Sequence, residues 1–431
     1  MTDHTPTTRV PLRLPGAVAT FGIGIAGYLG VNLSPYMIAA LQTALATDVL
    51  TASWIVTATL LATAITGLVV ARLCAGPRRL AVARIGLVIA AAGFGVAAFV
   101  PVPAAVVAGL IAGGIGAGGA VASSGAALAA FINPERVAGV NGLANRAVIT
   151  VILAVVPMIG LAPASVFGVL SLFSLAMLAT TAWLPAAPIL APAGAVPTTA
   201  TAEPGAHGAA AASVTAFSAS SRRVTIAGLA LLVCFALWAV SEDSLWAMAG
   251  VIGAEQAALT PEGLGIALSG ATAGGILGAI LITVVGDRFG RALPLAILLA
   301  AGGILKMVES TVTDPTAFIV VFIAWNTIYA VAFLYFVSTA AALDADGRWS
   351  GPLLAVYLVG SALTPVIGAA LVEAFGFQGF GIVLGIASFA LITPVVLVAR
   401  FSREAQAAEA TDAAASRLAP ADAADAREVR A

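Results

Sequence analysis

Chemistry in this chain is confined to a few ionisable side chains set inside long apolar runs. Arg146 stands in Asn145-Arg146-Ala-Val-Ile-Thr150. Glu242 and Asp243 are adjacent, bracketed by Ser241 and Ser244 and by Trp238 and Trp246. Lys306, the only lysine, precedes Glu309 by three positions. A guanidinium grips a carboxylate or phosphate through two parallel N–H···O bonds, and a desolvated carboxyl can take up and release a proton. These are ion-binding and proton-exchanging groups. For covalent chemistry there is little to work with: His4 and His207 lie in polar, small-residue segments, Cys74 and Cys234 lack metal-ligand spacing, and no Ser-His, P-loop or dinucleotide pattern is present. The chain therefore reads as a non-enzyme with no cofactor, no metal and no direct ATP drive.

The elements that carry these residues follow from composition. With 61% hydrophobic and 9% charged residues among 431, and a mean hydropathy of +1.08, too few polar groups remain to coat a soluble globule, so an all-α membrane protein is expected. A spanning helix takes about 20 apolar residues, so about twelve spans account for the apolar fraction. Apolar blocks between polar or Pro/Gly punctuation predict helices near 16–40, 51–72, 80–100, 103–131, 138–161, 165–184, 224–248, 263–285, 292–310, 316–341, 350–372 and 379–399. The first block is longer than the apolar core of a signal peptide and has no A-x-A site after it, so it is expected to be retained.

Apart from Arg146 and Lys306, within predicted helices, basic residues fall in alternate connections: Arg9 and Arg13; Arg72, Arg78, Arg79 and Arg84; Arg136; Arg222 and Arg223; Arg288 and Arg291; Arg348; and five arginines after residue 399. The retention of Lys and Arg on the inner side then predicts that both termini are cytoplasmic. The expected organisation is a cytoplasmic N-terminus (1–15), a six-helix bundle (16–184), a flexible Ala/Pro/Thr/Ser/Gly linker (185–223), a second six-helix bundle (224–400) and a cytoplasmic tail (401–431), helical or disordered.

The second-to-third connection, Gly67-Leu-Val-Val-Ala-Arg72-Leu-Cys-Ala-Gly76-Pro-Arg78-Arg79, and the eighth-to-ninth, Thr283-Val-Val-Gly-Asp287-Arg288-Phe-Gly290-Arg291, occupy equivalent places in the two halves. The second carries D-R-x-G-R complete, and here the chain resembles the major facilitator superfamily, whose loops carry G-x-x-x-D-R-x-G-R-[KR]. In the first loop Ala71 replaces the acid and Gly76 is displaced. Gly109, Gly113, Gly114, Gly116, Gly118 and Gly119 on the fourth helix also resemble that family, and Gly270, Gly274 and Gly278 repeat the small-residue theme on the eighth. The family's antiporter signature is absent from the fifth helix, with a partial echo at Gly360-Ser-Ala-Leu-Thr364-Pro365-Val-Ile-Gly368.

The resemblance implies twelve helices in two pseudo-symmetric bundles, with helices one, four, seven and ten lining a central cavity and two, five, eight and eleven beside them. It makes Asp287, Arg288, Gly290, Arg291 and Arg72 candidates for a conformational latch, and Tyr28, Asn32, Arg146, Asn326, Tyr329 and Tyr357 candidates for the cavity. Arg146 either faces an anionic group there, or snorkels to the inner interface, or pairs with Glu135. Glu242 and Asp243 are candidates for proton coupling, or sit at the outer interface with the tryptophans as belt anchors. They point about 100° apart, so both cannot face one cavity. Lys306 is read as neutralised by Glu309 and snorkelling. The overall pattern is most similar to sugar-efflux and drug-efflux permeases. It implies a secondary transporter of a small organic solute, coupled to protons and leaning to efflux of a drug-like or metabolic compound. The alternatives are proton-coupled uptake of an organic anion and, more distantly, a transport-inactive sensor or scaffold. A monomer in the bacterial plasma membrane, partnered by solute, protons and lipid and not by nucleic acid, is expected.

Overall fold

The computed structural model describes residues 9–186, 210–285, 288–343 and 349–418, and among them the chain is helical throughout apart from turns and one isolated bridge between Val10 and Phe131. In the first half, α1 (Leu14–Asn32) and α2 (Ser34–Leu45) meet at Leu33 and make one crossing. They are followed by α3 (Val49–Ala75), α4 (Arg79–Phe99), α5 (Pro103–Leu128), α6 (Pro134–Ile159) and α7 (Pro163–Thr180). In the second half come α8 (Ala210–Gln256), α9 (Pro261–Val285), α10 (Ala292–Glu309), α11 (Pro315–Ala341) and α12 (Ser350–Leu418). Eleven of these helices are long and apolar enough to cross a membrane. The last of them is broken at Gly376, whose φ of 67° only glycine adopts readily, so it supplies two crossings and completes twelve.

Local chemistry explains the boundaries. Proline opens α1, α2, α5, α6, α7 and α11, where its missing N–H costs nothing. The Asp48 carboxylate accepts from Thr51 N at 2.7 Å, and that of Asp314 from Ala317 N at 2.8 Å, capping α3 and α11. Helix α8 starts at Ala210, so its first turns occupy the end of the stretch read as linker, and α12 continues into the tail as far as Leu418.

Glycine sets the closest contacts. A Cβ on Gly109 would lie 2.6 Å from the Gly93 carbonyl oxygen, and one on Gly86 2.8 Å from that of Gly116, so α4 and α5 touch backbone to backbone. On α9, Gly270, Gly274 and Gly278 admit Ile323, Thr327 and Val331 of α11. The two bundles meet through α3 against α12, α6 against α9 and α2 against α8.

Buried apolar residues reveal how the bundles are closed. One core runs through both, drawing on the later parts of α1, α4, α6 and α8 and the earlier parts of α3, α5, α7, α9 and α11. All of these lie at the end of the molecule away from Leu14 and Phe401. At the other end the cores are separate, one in the second bundle around Phe235, Trp238 and Phe336 and two smaller ones in the first around Ile23 and Phe131. The halves are thus sealed at one end and parted at the other.

Candidate functional site

Between the bundles, below the seal, lies a cavity of about 250 Å³. The first bundle lines it with Tyr28 and Asn32 of α1 and Asn145 and Arg146 of α6, and the second with Asp243 of α8, Asn326 and Tyr329 of α11, and Tyr357 and Ser361 of α12. All six cavity candidates read from the sequence, and Asp243, are therefore brought to one space. A cationic side chain faces it from one bundle and an acidic one from the other.

Each polar group is held by its neighbours. Asn32 Nδ2 donates to the Tyr28 carbonyl at 2.9 Å, and Trp246 Nε1 to the Asn32 carbonyl at 3.2 Å, across the bundle interface. The Tyr329 and Tyr357 hydroxyls are 2.8 Å apart, and the Tyr329 ring stacks on Trp238 with centroids 5.1 Å apart. Ser361 donates to Asp243 Oδ2, with Tyr357 and Tyr329 on the same carboxyl. Arg146 lies against α9 where Gly275 leaves room for its guanidinium. One turn along, Thr150 and Thr272 share a hydrogen bond of 2.7 Å between the bundles. Beside Pro365, whose ring interrupts the helix ladder, Val366 N donates to Thr57 Oγ1 at 3.1 Å, a third tie across the seal.

Glu242 points the other way, into the second bundle. There its Oε1 pairs with Lys306 Nζ at 2.7 Å, with side chains 3% and 0% exposed, and its Oε2 accepts from Trp325 Nε1 at 2.6 Å. Lys306 also donates to Ser241 Oγ at 2.8 Å and Ser388 Oγ at 2.6 Å, which uses all three ammonium protons. Among the described residues this is the one ion pair. It corrects two expectations. Lys306 is not neutralised by Glu309 and does not snorkel, and Glu242, Asp243, Trp238 and Trp246 are buried and not at an outer belt. The reason is distance along the helix: α8 runs on to Gln256, past the end read for it at 248, so Glu242 and Trp238 lie well inside the helix bundle.

The latch candidates are placed less fully. Asp287 lies outside the described residues. Arg288 and Arg72 are exposed, Gly290 takes a φ of +64°, and Arg291 donates from Nη1 to Gln406 Oε1 at 3.1 Å. Sequence reasoning missed Asn145, Ser361, Thr272 and Trp246 as cavity residues, and the partners Ser241, Trp325 and Ser388 of Lys306. For Ser361 the signal was present in the motif echo on the eleventh predicted helix. The others are single polar residues whose facing depends on helix rotation.

The sequence profile of the Major Facilitator Superfamily matches residues 17–346. No curated protein matches the sequence. Among solved structures, a peptide transporter in complex with sulfate aligns with a TM-score of 0.69 at 12% identity, covering 92% of this chain and 98% of its own. A D-xylose-proton symporter aligns at 0.61 and 14% identity, covering 87% and 95%, and a nucleoside transporter at 0.61 and 15%, covering 89% and 99%. At these identities the likeness is one of fold.

Proposed function

Because the chain belongs to the major facilitator superfamily, a family of small-solute transporters and not of enzymes, we propose that it carries a small organic acid across the membrane by alternating access, coupled to protons through Asp243. The observation that carries this reading is the pairing of Arg146 and Asp243 on opposite walls of one cavity. A carboxylate or phosphate on the solute binds the Arg146 fork, and its body reaches the Asn326, Tyr329 and Trp246 wall. Solute that touches both bundles favours the conformation in which they approach, which is how binding shifts a two-state equilibrium. Asp243, protonated, can share hydrogen bonds with Ser361 and the tyrosine hydroxyls as a neutral group; deprotonated, it places a negative charge in the cavity and repels an acidic solute. Proton and solute therefore load together.

On the reading that both termini are cytoplasmic, which the arginine distribution supports, the sealed end faces outward and the parted end inward. Efflux of a drug-like or metabolic compound uses the same cavity, with Trp246, Tyr329 and Tyr357 as its stacking face. Direction is then set by the gradients, since the cycle is reversible. The plasma membrane of a bacterium is the location that fits the arginine-rich, lysine-poor composition.

The test is equilibrium binding to purified protein, read by intrinsic tryptophan fluorescence because Trp246 lines the cavity. A panel of small carboxylic and phosphoric acids is compared with their neutral amides and esters. Binding of acids only, strengthening as pH falls, is expected. A panel in which neutral compounds bind as tightly as acids would overturn the organic-acid reading.

A further inference from the structure

Glu309 is the last residue of α10, 0% exposed, and neither of its carboxyl oxygens has a hydrogen-bond partner. Its backbone carbonyl is occupied, accepting from Gln256 Nε2 at 3.1 Å, and the same amide group holds the Val312 carbonyl at 2.7 Å. The other acidic residues at this end of the neighbouring elements, Glu255 on α8, Asp314 before α11 and Glu373 on α12, are exposed, and Asp314 is engaged in its cap. Among the described residues, the cation nearest along the helix is Lys306, one turn back, and it is turned to Glu242. An ionised carboxylate with two orphan oxygens in an apolar site is prohibitively costly, whereas the neutral acid is tolerated. Side chains three apart on a helix are neighbours, so the Lys306 ammonium can reach either carboxyl by changing rotamer.

We propose that Glu309 is a second proton-binding carboxyl, and that Lys306 is shared between Glu309 and Glu242, so that the second bundle holds one proton on whichever carboxyl the lysine has left. In the state seen here Glu242 is the carboxylate and Glu309 the acid. In the other state Glu309 has released its proton toward the sealed end, the ammonium has moved to the resulting carboxylate, and Glu242 has taken a proton from the cavity side. Lys306 stays an ammonium throughout, and the triad keeps the same net charge, so the exchange moves one proton between the two ends of the bundle without leaving a bare buried ion. Its consequence for transport rests on the proton-coupled reading above, while the protonation of Glu309 does not.

Infrared spectroscopy of the purified full chain at neutral pH tests it without a solute, by following the carbonyl stretch of buried carboxylic acids. In wild type a band that Glu309→Gln removes and Asp243→Asn leaves is expected. In Glu242→Gln that band should vanish, because Lys306 turns to Glu309 and ionises it. In Lys306→Met it should about double, because both carboxyls are then acids. No Glu309-dependent band in wild type would overturn the proposal, as would a band unchanged in Glu242→Gln. A variant that fails to fold leaves the other single variants to decide. A band lost only in Asp243→Asn would support the Asp243 site and refute the Glu309 one, so the two readings fail separately.

Discussion

Replacing Lys306 by Met should cost the protein about 4 kcal/mol, and the cost should depend on pH. Lys306 is the cation facing Glu242, and their 2.7 Å contact is inaccessible to solvent. Removing one partner of such a pair leaves an uncompensated buried charge, which costs roughly 3–5 kcal/mol. The alternative open to Glu242 is to bind a proton. From an ordinary glutamate value near 4.3, that costs about 1.4 kcal/mol for each pH unit up to neutrality, again about 4 kcal/mol. The two routes agree, and the second fixes the sign: the variant needs one more proton than the wild type to stay folded, so the gap should narrow as pH falls, by about 1.4 kcal/mol per unit. The double variant Glu242→Gln with Lys306→Met should recover all but about 1 kcal/mol, since a buried pair exchanged for neutral groups is often close to neutral. Unfolding in detergent micelles, followed by fluorescence from about pH 5 to about pH 8, reads all three proteins. A gap below about 1 kcal/mol, or one that does not change with pH, would refute the claim that this pair neutralises itself in the bundle interior.

Arg146→Ala should weaken transport of an acidic solute by about 10- to 100-fold, the loss of one charge-assisted pair, and leave a neutral solute within about twofold. Arg146→Lys should restore only part of it, because a point charge replaces a fork; equal loss for both solutes would mark a structural role. If the D-R-x-G-R turn is a latch whose charge pair forms in one conformation only, Asp287→Ala should lower flux per inserted molecule by about tenfold, and flux near normal would reduce the turn to a topological signal.

Much of the architecture was legible because a bilayer imposes a single rule: each crossing must satisfy its own backbone, and only long apolar helices do so. The break at Gly376 was visible as punctuation between two apolar blocks, whereas the early start of α8 was not, since Ala, Ser and Thr from Ala210 onward are equally at home in a helix or a linker. Cavity residues such as Tyr28, Arg146 and Tyr357 were legible through the repeat pattern of the family, which says which helices face inward. The divergence of Glu242 and Asp243 followed from helix geometry, but which of them faces the cavity did not. That choice depends on Lys306 of α10 and Trp325 of α11, which meet Glu242, and on Ser388 of α12, which holds Lys306, contacts made only after the bundle has assembled. The i, i+3 spacing of Lys306 and Glu309 suggested the wrong partner because local neighbours are visible in a sequence and a glutamate 64 residues away is not.

The central claim, that Asp243 carries the proton for a cavity that binds a small acid, is tested most directly in proteoliposomes with an imposed pH gradient. The solute is an acid identified by the binding panel, and wild type is compared with Asp243→Asn. Wild type should accumulate it against its gradient. The variant should retain solute-for-solute exchange, because the neutral amide imitates the protonated side chain, and lose gradient-driven accumulation. Accumulation by Asp243→Asn equal to wild type, with the same dependence on pH, would contradict the account.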